Sequence, residues 1–230
     1  MARLPRLAVA GQAHLVLMPG HADRPVFGDD EDRRQFLAAL REAALLHGVS
    51  VHAYALLDDQ VRLLATPADA AALGRWVQAI GRRYVAGFNR RHGGAGTLWA
   101  GRFRTTVVQP GEAMRQATLA VDLQPVRSAV VEVAAEHPWS SARHHLGIAR
   151  DPLVGVGAAY WALGNTPFER EAAYRLLLEE GLTEALWRRL DDAVRKGWAL
   201  GDAAFVAELG KQIDRPLAPR PRGRPRKRGI

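Results

Sequence analysis

The chain reads as an α+β protein, an antiparallel sheet with packed helices followed by a purely helical region. Three observations predict this. Short β-branched or apolar runs alternate with helix-period stretches in the order β-α-β-β-α-β over the first half. Residues 138–212 show helical signals only. At 230 residues and 48% hydrophobic composition the chain is long enough to bury a sizeable core.

Each element has a local reason. Residues 13–18 read as a strand. Asp29-Asp30-Glu31-Asp32 then opens a helix, with acids that suit the positive end of its dipole. Phe36, Leu37, Leu40, Ala44 and Leu45 follow at helical spacing, and Gly48 ends the run. Residues 49–57 and 61–65 read as a hairpin turned at Asp58-Asp59. Residues 68–92 form a long helix with Leu73, Trp76, Val77, Ile80, Tyr84 and Phe88 on one face. After the Gly93-Gly94-Ala95-Gly96 break, residues 102–109 carry a fourth strand rich in β-branched residues. A helix over 111–123 follows. The order is the ferredoxin-like split βαβ pattern, an antiparallel sheet with helices on one face. Further helices are expected over 170–180, 184–195 and 202–213, with Trp161, Trp187 and Trp198 as packing anchors.

Composition narrows the class. The chain has no cysteine, which excludes a disulfide scaffold, thiolate metal sites and cysteine nucleophiles. No apolar run approaches the roughly 18–20 residues of a membrane helix, and no secretory signal is visible, so a cytoplasmic protein is expected. The formal charge is +8, unevenly spread. Residues 75–111 carry 7 arginines and no acid, and residues 215–230 carry 7 basic groups and no acid. The remainder is slightly acidic. Two such blocks suit a polyanion, most simply nucleic acid.

The first block interleaves Arg82, Arg83, Arg90, Arg91, Arg102 and Arg104 with Trp99 and Phe103, whose rings could stack on unpaired bases. Arg102 and Arg104 alternate along a strand and so share a face. In the second block, Arg222-Gly223-Arg224-Pro225 is similar to an AT-hook, whose two arginines reach along a narrow minor groove. The histidines at 14, 21, 47, 137, 144 and 145 show no ligand spacing, and no metal is assigned to them.

Several segments together resemble the REP-associated tyrosine transposases of the single-tyrosine HUH superfamily. They are Arg24-Pro25-Val26-Phe27, His52-Ala53-Tyr54, Arg82-Arg83-Tyr84 through His92, Gly96-Thr97-Leu98-Trp99-Ala100-Gly101-Arg102-Phe103, Pro125-Val126-Arg127 and Pro138-Trp139-Ser140-Ser141-Ala142-Arg143. The resemblance implies an HUH transposase fold and binding of imperfect DNA hairpins. It also implies metal-dependent strand transfer with Mg or Mn, by two histidines on a strand and a tyrosine on the helix after the fourth strand.

Carried over position by position, the chemistry is missing. The histidine positions hold Gln60 and Arg62, the tyrosine position holds Ala120, and Gln124 keeps an amide at the third ligand position. An arginine offers no lone pair, and alanine offers no nucleophile. Tyr84, the nearest other tyrosine, sits on an apolar stripe and reads as packing. The sequence therefore predicts no metal cofactor and no strand cleavage. Arg62 either replaces the lost cation and clamps a DNA phosphate, or sits exposed beside Asp58 or Asp59.

The reading is a DNA-binding, transposase-like protein for hairpin or single-stranded DNA, nucleoid-associated, with duplex minor groove as the tail's target. The family often dimerises, so a homodimer is among the expected partners. An active nickase with a displaced nucleophile and an inactive interaction scaffold stay open beside it. The expected units are residues 1–148 (transposase-like), 149–213 (helical appendage) and 214–230 (disordered basic tail).

Overall fold

The computed structural model describes residues 6–21, 24–213 and 215–219. Four strands, β1 (Ala13–Pro19), β2 (Val49–Leu57), β3 (Gln60–Pro67) and β4 (Arg104–Val108), form one sheet in the order β2-β3-β1-β4. Every pairing is antiparallel, with Val16 opposite both Leu63 and Thr105 and Ala55 opposite Arg62. Arg222 and Arg224 lie outside the described residues.

The sheet is covered on both faces, where helices on one face were expected. The reason is written in the strands. β1 and β3 each bury five consecutive residues instead of alternating, so neither face of the central pair can meet water. Val16, Met18, Val61 and Leu63 face α1 (Asp30–His47) and α2 (Ala72–His92). Leu15, Leu17, Ala53, Ala55 and Leu64 face α3 (Glu112–Asp122) and later helices.

α1 starts where the acids predict. The Asp29 carboxylate accepts from the Asp32 amide at 2.9 Å, and Gly48 ends the helix at φ +63°, a conformation glycine adopts without strain. Its buried stripe is Phe36, Ala39, Leu40, Ala43 and Ala44, while Leu45 is 81% exposed and not part of the core. α2 begins at Ala72, four residues later than expected. The Asp69 carboxylate accepts from the amides of Ala71 and Ala72, both at 2.8 Å, and so fixes the start. The apolar face of α2 is as predicted, with Trp76, Ile80 and Tyr84 buried against α1 and the sheet.

Beyond α3 the chain runs through α4 (Gln124–Arg127), α5 (Ala142–His145), α6 (Ala158–Trp161), α7 (Pro167–Glu180), α8 (Glu184–Lys196) and α9 (Ala203–Gln212). α8 lays Trp187, Leu190, Ala193 and Val194 into the second core, against the face that carries α3. Trp161 is half exposed and does not anchor the packing. Both sheet edges are occupied. β2 is bridged by Ser140 and Val154, and β4 at its last residue by Leu200, which covers part of the open ladder an edge strand offers to other chains. The segment 215–219, expected to be structureless, begins docked. Leu217 is buried with Leu7, Val107 and Leu209, and its carbonyl accepts from the Ala199 amide at 2.9 Å.

One buried carboxylate ties the helical region to the sheet unit. Asp122, fully buried at the end of α3, accepts from the Ser141 hydroxyl, from His145 Nδ1 at 2.7 Å and from the Tyr174 hydroxyl at 2.7 Å. Satisfaction by three donors makes its burial tolerable. Tyr174→Phe removes the donor from α7, and a destabilisation of about 1–3 kcal/mol is expected in urea unfolding, with little change in shape.

His14 gives the stability a pH dependence. Its ring is fully buried, with Nδ1 donating to the Gln12 carbonyl at 2.7 Å and Nε2 accepting from the Val9 amide at 3.1 Å. Only the neutral ring fits both bonds, and burial lowers its pKa from 6.5 to about 4. The folded value lies below the unfolded one, so the stabilisation is full above pH 6.5 and is lost as pH falls towards 4. Melting temperatures should drop across that window, and His14→Gln should flatten the drop.

Candidate nucleic-acid interface

The arginines of the acid-free stretch divide into two groups. Arg83 pairs with Glu42 of α1, and Arg91 pairs with Asp29 at 2.7 Å and with Asp32. These two hold α2 to α1. Arg82, Arg90, Arg102 and Arg104 have no carboxylate or hydrogen-bond partner among the described residues. They are the cations this face leaves for a ligand.

Arg82 and Arg102 border a cleft of about 880 Å³ between α2, the loop 93–103 and β1. Gly74 and Gly81 leave its helical wall low, and Phe103 lines its far side. The Arg6 guanidinium stacks on the Phe103 ring at 4.0 Å. Arg102 precedes the strand instead of alternating with Arg104 along it, because β4 begins only at Arg104.

Trp99 does not offer a stacking surface. It is 9% exposed, and its ring packs 6.2 Å from Phe36 and 6.4 Å from Tyr84. Its indole N–H, buried without a partner, lies behind Gly81, where a Cβ would sit 3.7 Å away. Tyr84 is buried as the sequence predicts. Its hydroxyl donates to the Val26 carbonyl, and burial raises its pKa, so it is a packing residue.

The positions matching the resemblance's catalytic groups lie on the opposite face. Gln60 and Arg62 sit on β3 beneath α8. Arg62 is 3% exposed, its Nη2 lies 2.9 Å from Asp191 Oδ1 of α8, and its Nε donates to Gln60 Oε1 at 3.2 Å. Burial lowers the guanidinium pKa, Asp191 opposes that, and nearby Arg195 and Arg127 add to it. Arg62 is thus neither an open phosphate clamp nor an exposed neighbour of Asp58. It is an internal cation whose carboxylate comes from a helix far along the chain. Ala120 is buried in the core, and Gln124 donates to the Ser128 hydroxyl at 3.0 Å while its Oε1 stays unpartnered.

A group of metal-ligating side chains nevertheless exists elsewhere. Asp29, Asp32 and His92 bring one ligand atom each within 4.8 Å of one another, where α1 begins and α2 ends. Asp32 is fully buried and accepts from the Gly28 amide at 2.8 Å, and His92 Nε2 lies 2.8 Å from its Oδ2. Two hard carboxylates and an imidazole suit a divalent ion such as Mn or Zn. The expectation of a chain without a metal site, and hence without a metal cofactor or activity, is overturned by this group. Sequence reading missed it because His92 lies 60 residues from Asp32 and shares no motif with it. The one available signal was the Asp29-x-x-Asp32 spacing at a helix start.

Among the described residues, no helix is long and apolar enough to cross a membrane. No family model matches the chain, and no curated protein matches it. Among solved structures, a REP-associated tyrosine transposase bound to a REP hairpin aligns with a TM-score of 0.56 at 14% identity, covering 69% of this chain and 93% of that one. This likeness agrees with the resemblance read from the sequence and shows a shared fold. A candidate transposase from Deinococcus radiodurans R1 aligns at a TM-score of 0.36 and 22% identity over 47% of this chain and 88% of that one.

In the metal-ligating group, the Arg91 guanidinium already holds both carboxylates, and it draws the Asp29 pKa down to about 2. An incoming cation has to displace it. Arg91→Gln is therefore expected to tighten Mn binding at least tenfold in calorimetric titration, and His92→Ala to weaken it.

Proposed function

We propose that the chain is a transposase-like DNA-binding protein that engages hairpin or single-stranded DNA through the α2–β4 arginine face. The observation that carries this reading is the set Arg82, Arg90, Arg102 and Arg104. Among the described residues these four cations have no internal partners, in a stretch of 37 residues that holds no acid. Unpaired surface arginines gain most from phosphates, because each phosphate neutralised releases condensed counterions. The shared fold with a protein solved on a REP hairpin supports the same ligand class. In this reading residues 1–148 are the DNA-binding unit, 149–213 an appendage covering one face, and Arg222 and Arg224 a minor-groove arm that keeps the protein near the nucleoid.

A second reading, metal-assisted strand cleavage, is favoured by the Asp29–Asp32–His92 group. One set of experiments addresses both. Fluorescence anisotropy on hairpin oligonucleotides across a salt series should show Arg82→Gln/Arg90→Gln binding at least tenfold more weakly. The log–log salt slope should shrink by about 1.4–1.8, the release expected for two phosphate contacts. Unchanged binding in the double variant sinks the arginine-face reading. A covalent protein–DNA adduct formed with Mn establishes cleavage.

A further inference from the structure

A second, smaller cleft lies at the β4 edge. Its volume is about 230 Å³, below the range of pockets that hold drug-sized ligands. Arg102 reaches it from just before β4, Arg104 from the first residue of β4, Arg195 and Lys196 from the end of α8, Arg215 from the docked tail segment and Arg6 from the N-terminal segment. Among the described residues no acidic side chain lines it. Gly197 closes α8 at φ +71° and turns the chain so that this helix end meets the strand, where a Cβ would stand 3.0 Å from Arg215 Nη2.

Two of these cations have internal anchors. Lys196 pairs with Asp192 at 3.0 Å, and Arg215 Nη2 donates to the Gly197 carbonyl at 2.7 Å. Arg102, Arg104 and Arg195 have no carboxylate partner among the described residues. Gathering like charges from four separate parts of the chain is unfavourable unless an anion lies among them.

The floor adds an independent sign. Thr105 is 4% exposed and lines the cleft, and its hydroxyl is buried without a partner. The neighbouring Thr106 hydroxyl, by contrast, donates to the Trp198 carbonyl. An unpaired buried hydroxyl is destabilising, and an anionic oxygen accepting from it offsets that cost.

We propose that this cleft is a phosphate-binding site in which Arg102, Arg104, Arg195, Lys196 and the Thr105 hydroxyl hold one phosphate group, supplied by a nucleic-acid backbone. It deepens the DNA-binding reading and rests on it for the source of the phosphate. The cleft shares Arg102 and Phe103 with the larger one, so a strand leaving the first passes directly into the second. The helical appendage then contributes directly to the interface.

The test uses the full chain with Arg195→Gln/Lys196→Gln, both exposed, and separately Thr105→Val, which keeps the side-chain shape. Hairpin DNA is titrated across a salt series, and inorganic phosphate is titrated alone by calorimetry. The double variant should bind DNA about tenfold more weakly with a salt slope smaller by about 0.7–0.9, the value of one phosphate contact. Thr105→Val should weaken binding severalfold with an unchanged melting temperature. Loss of phosphate binding in the variants with DNA binding intact overturns the nucleic-acid backbone as the source and leaves a site for free phosphate. Variants that match the parent in both titrations overturn it. If the parent binds phosphate but no DNA, the interface reading fails and the phosphate site stands.

Discussion

The constraint on which everything else depends is that the central strands of the sheet are apolar on both sides. β1 and β3 each bury five residues in succession, so the sheet has to be roofed twice. α1 and α2 make one roof. α3 alone, with 11 residues, is too short for the other, and α8 completes it with Trp187, Leu190, Ala193 and Val194. The appendage is therefore part of how this sheet avoids water.

That second roof decides the fate of the positions that resemble catalytic ones. Gln60 and Arg62 point into the layer that α8 closes. A buried arginine needs a carboxylate, and Asp191 supplies it from the covering helix. Burial without that partner would leave a charge in a low-dielectric layer, so the helix and the buried arginine make sense only together. The Arg62 charge on this side of the sheet is neutralised internally. Among the described residues, the arginines of the two clefts that lack a carboxylate lie on α2, at the start of β4 and at the end of α8.

How much of this was legible in the sequence follows from where each signal lives. Strand and helix positions were readable, because period and capping are local properties, as at Asp29 and Gly48. The two-sided burial was also present, in the unbroken apolar runs 15–18 and 63–65, but the β-α-β-β-α-β order drew attention to one face. Leu45 continued a helical stripe in the sequence and turned out exposed, since the stripe on α1 is narrower than the run of apolar residues. Trp99 read as a stacking ring because its neighbours are arginines, yet it packs against aromatic residues from α1 and α2. The Arg62–Asp191 pair and the Asp29–Asp32–His92 group were illegible because each joins residues that only tertiary packing brings together. The arginine block was legible as charge, but not which members were engaged. Arg83 and Arg91 differ from Arg82 and Arg90 only in what α1 presents opposite them.

This sorting of arginines has a physical logic. An α-helix points residues one apart in different directions, so in each Arg-Arg pair of α2 one residue turns towards α1 and its acids while the other does not. Glu42 and Asp29 take the inward members. The pairing at the same time fixes the orientation of α2, and with it the direction of Arg82 and Arg90. Intramolecular ion pairs of this exposed kind contribute little to stability. Their larger effect is positional, since they hold a rigid helix that displays the remaining cations at fixed spacing. The same division recurs at the β4 edge, where Lys196 and Arg215 are tied to Asp192 and Gly197 while Arg102, Arg104 and Arg195 stand beside them without carboxylates among the described residues.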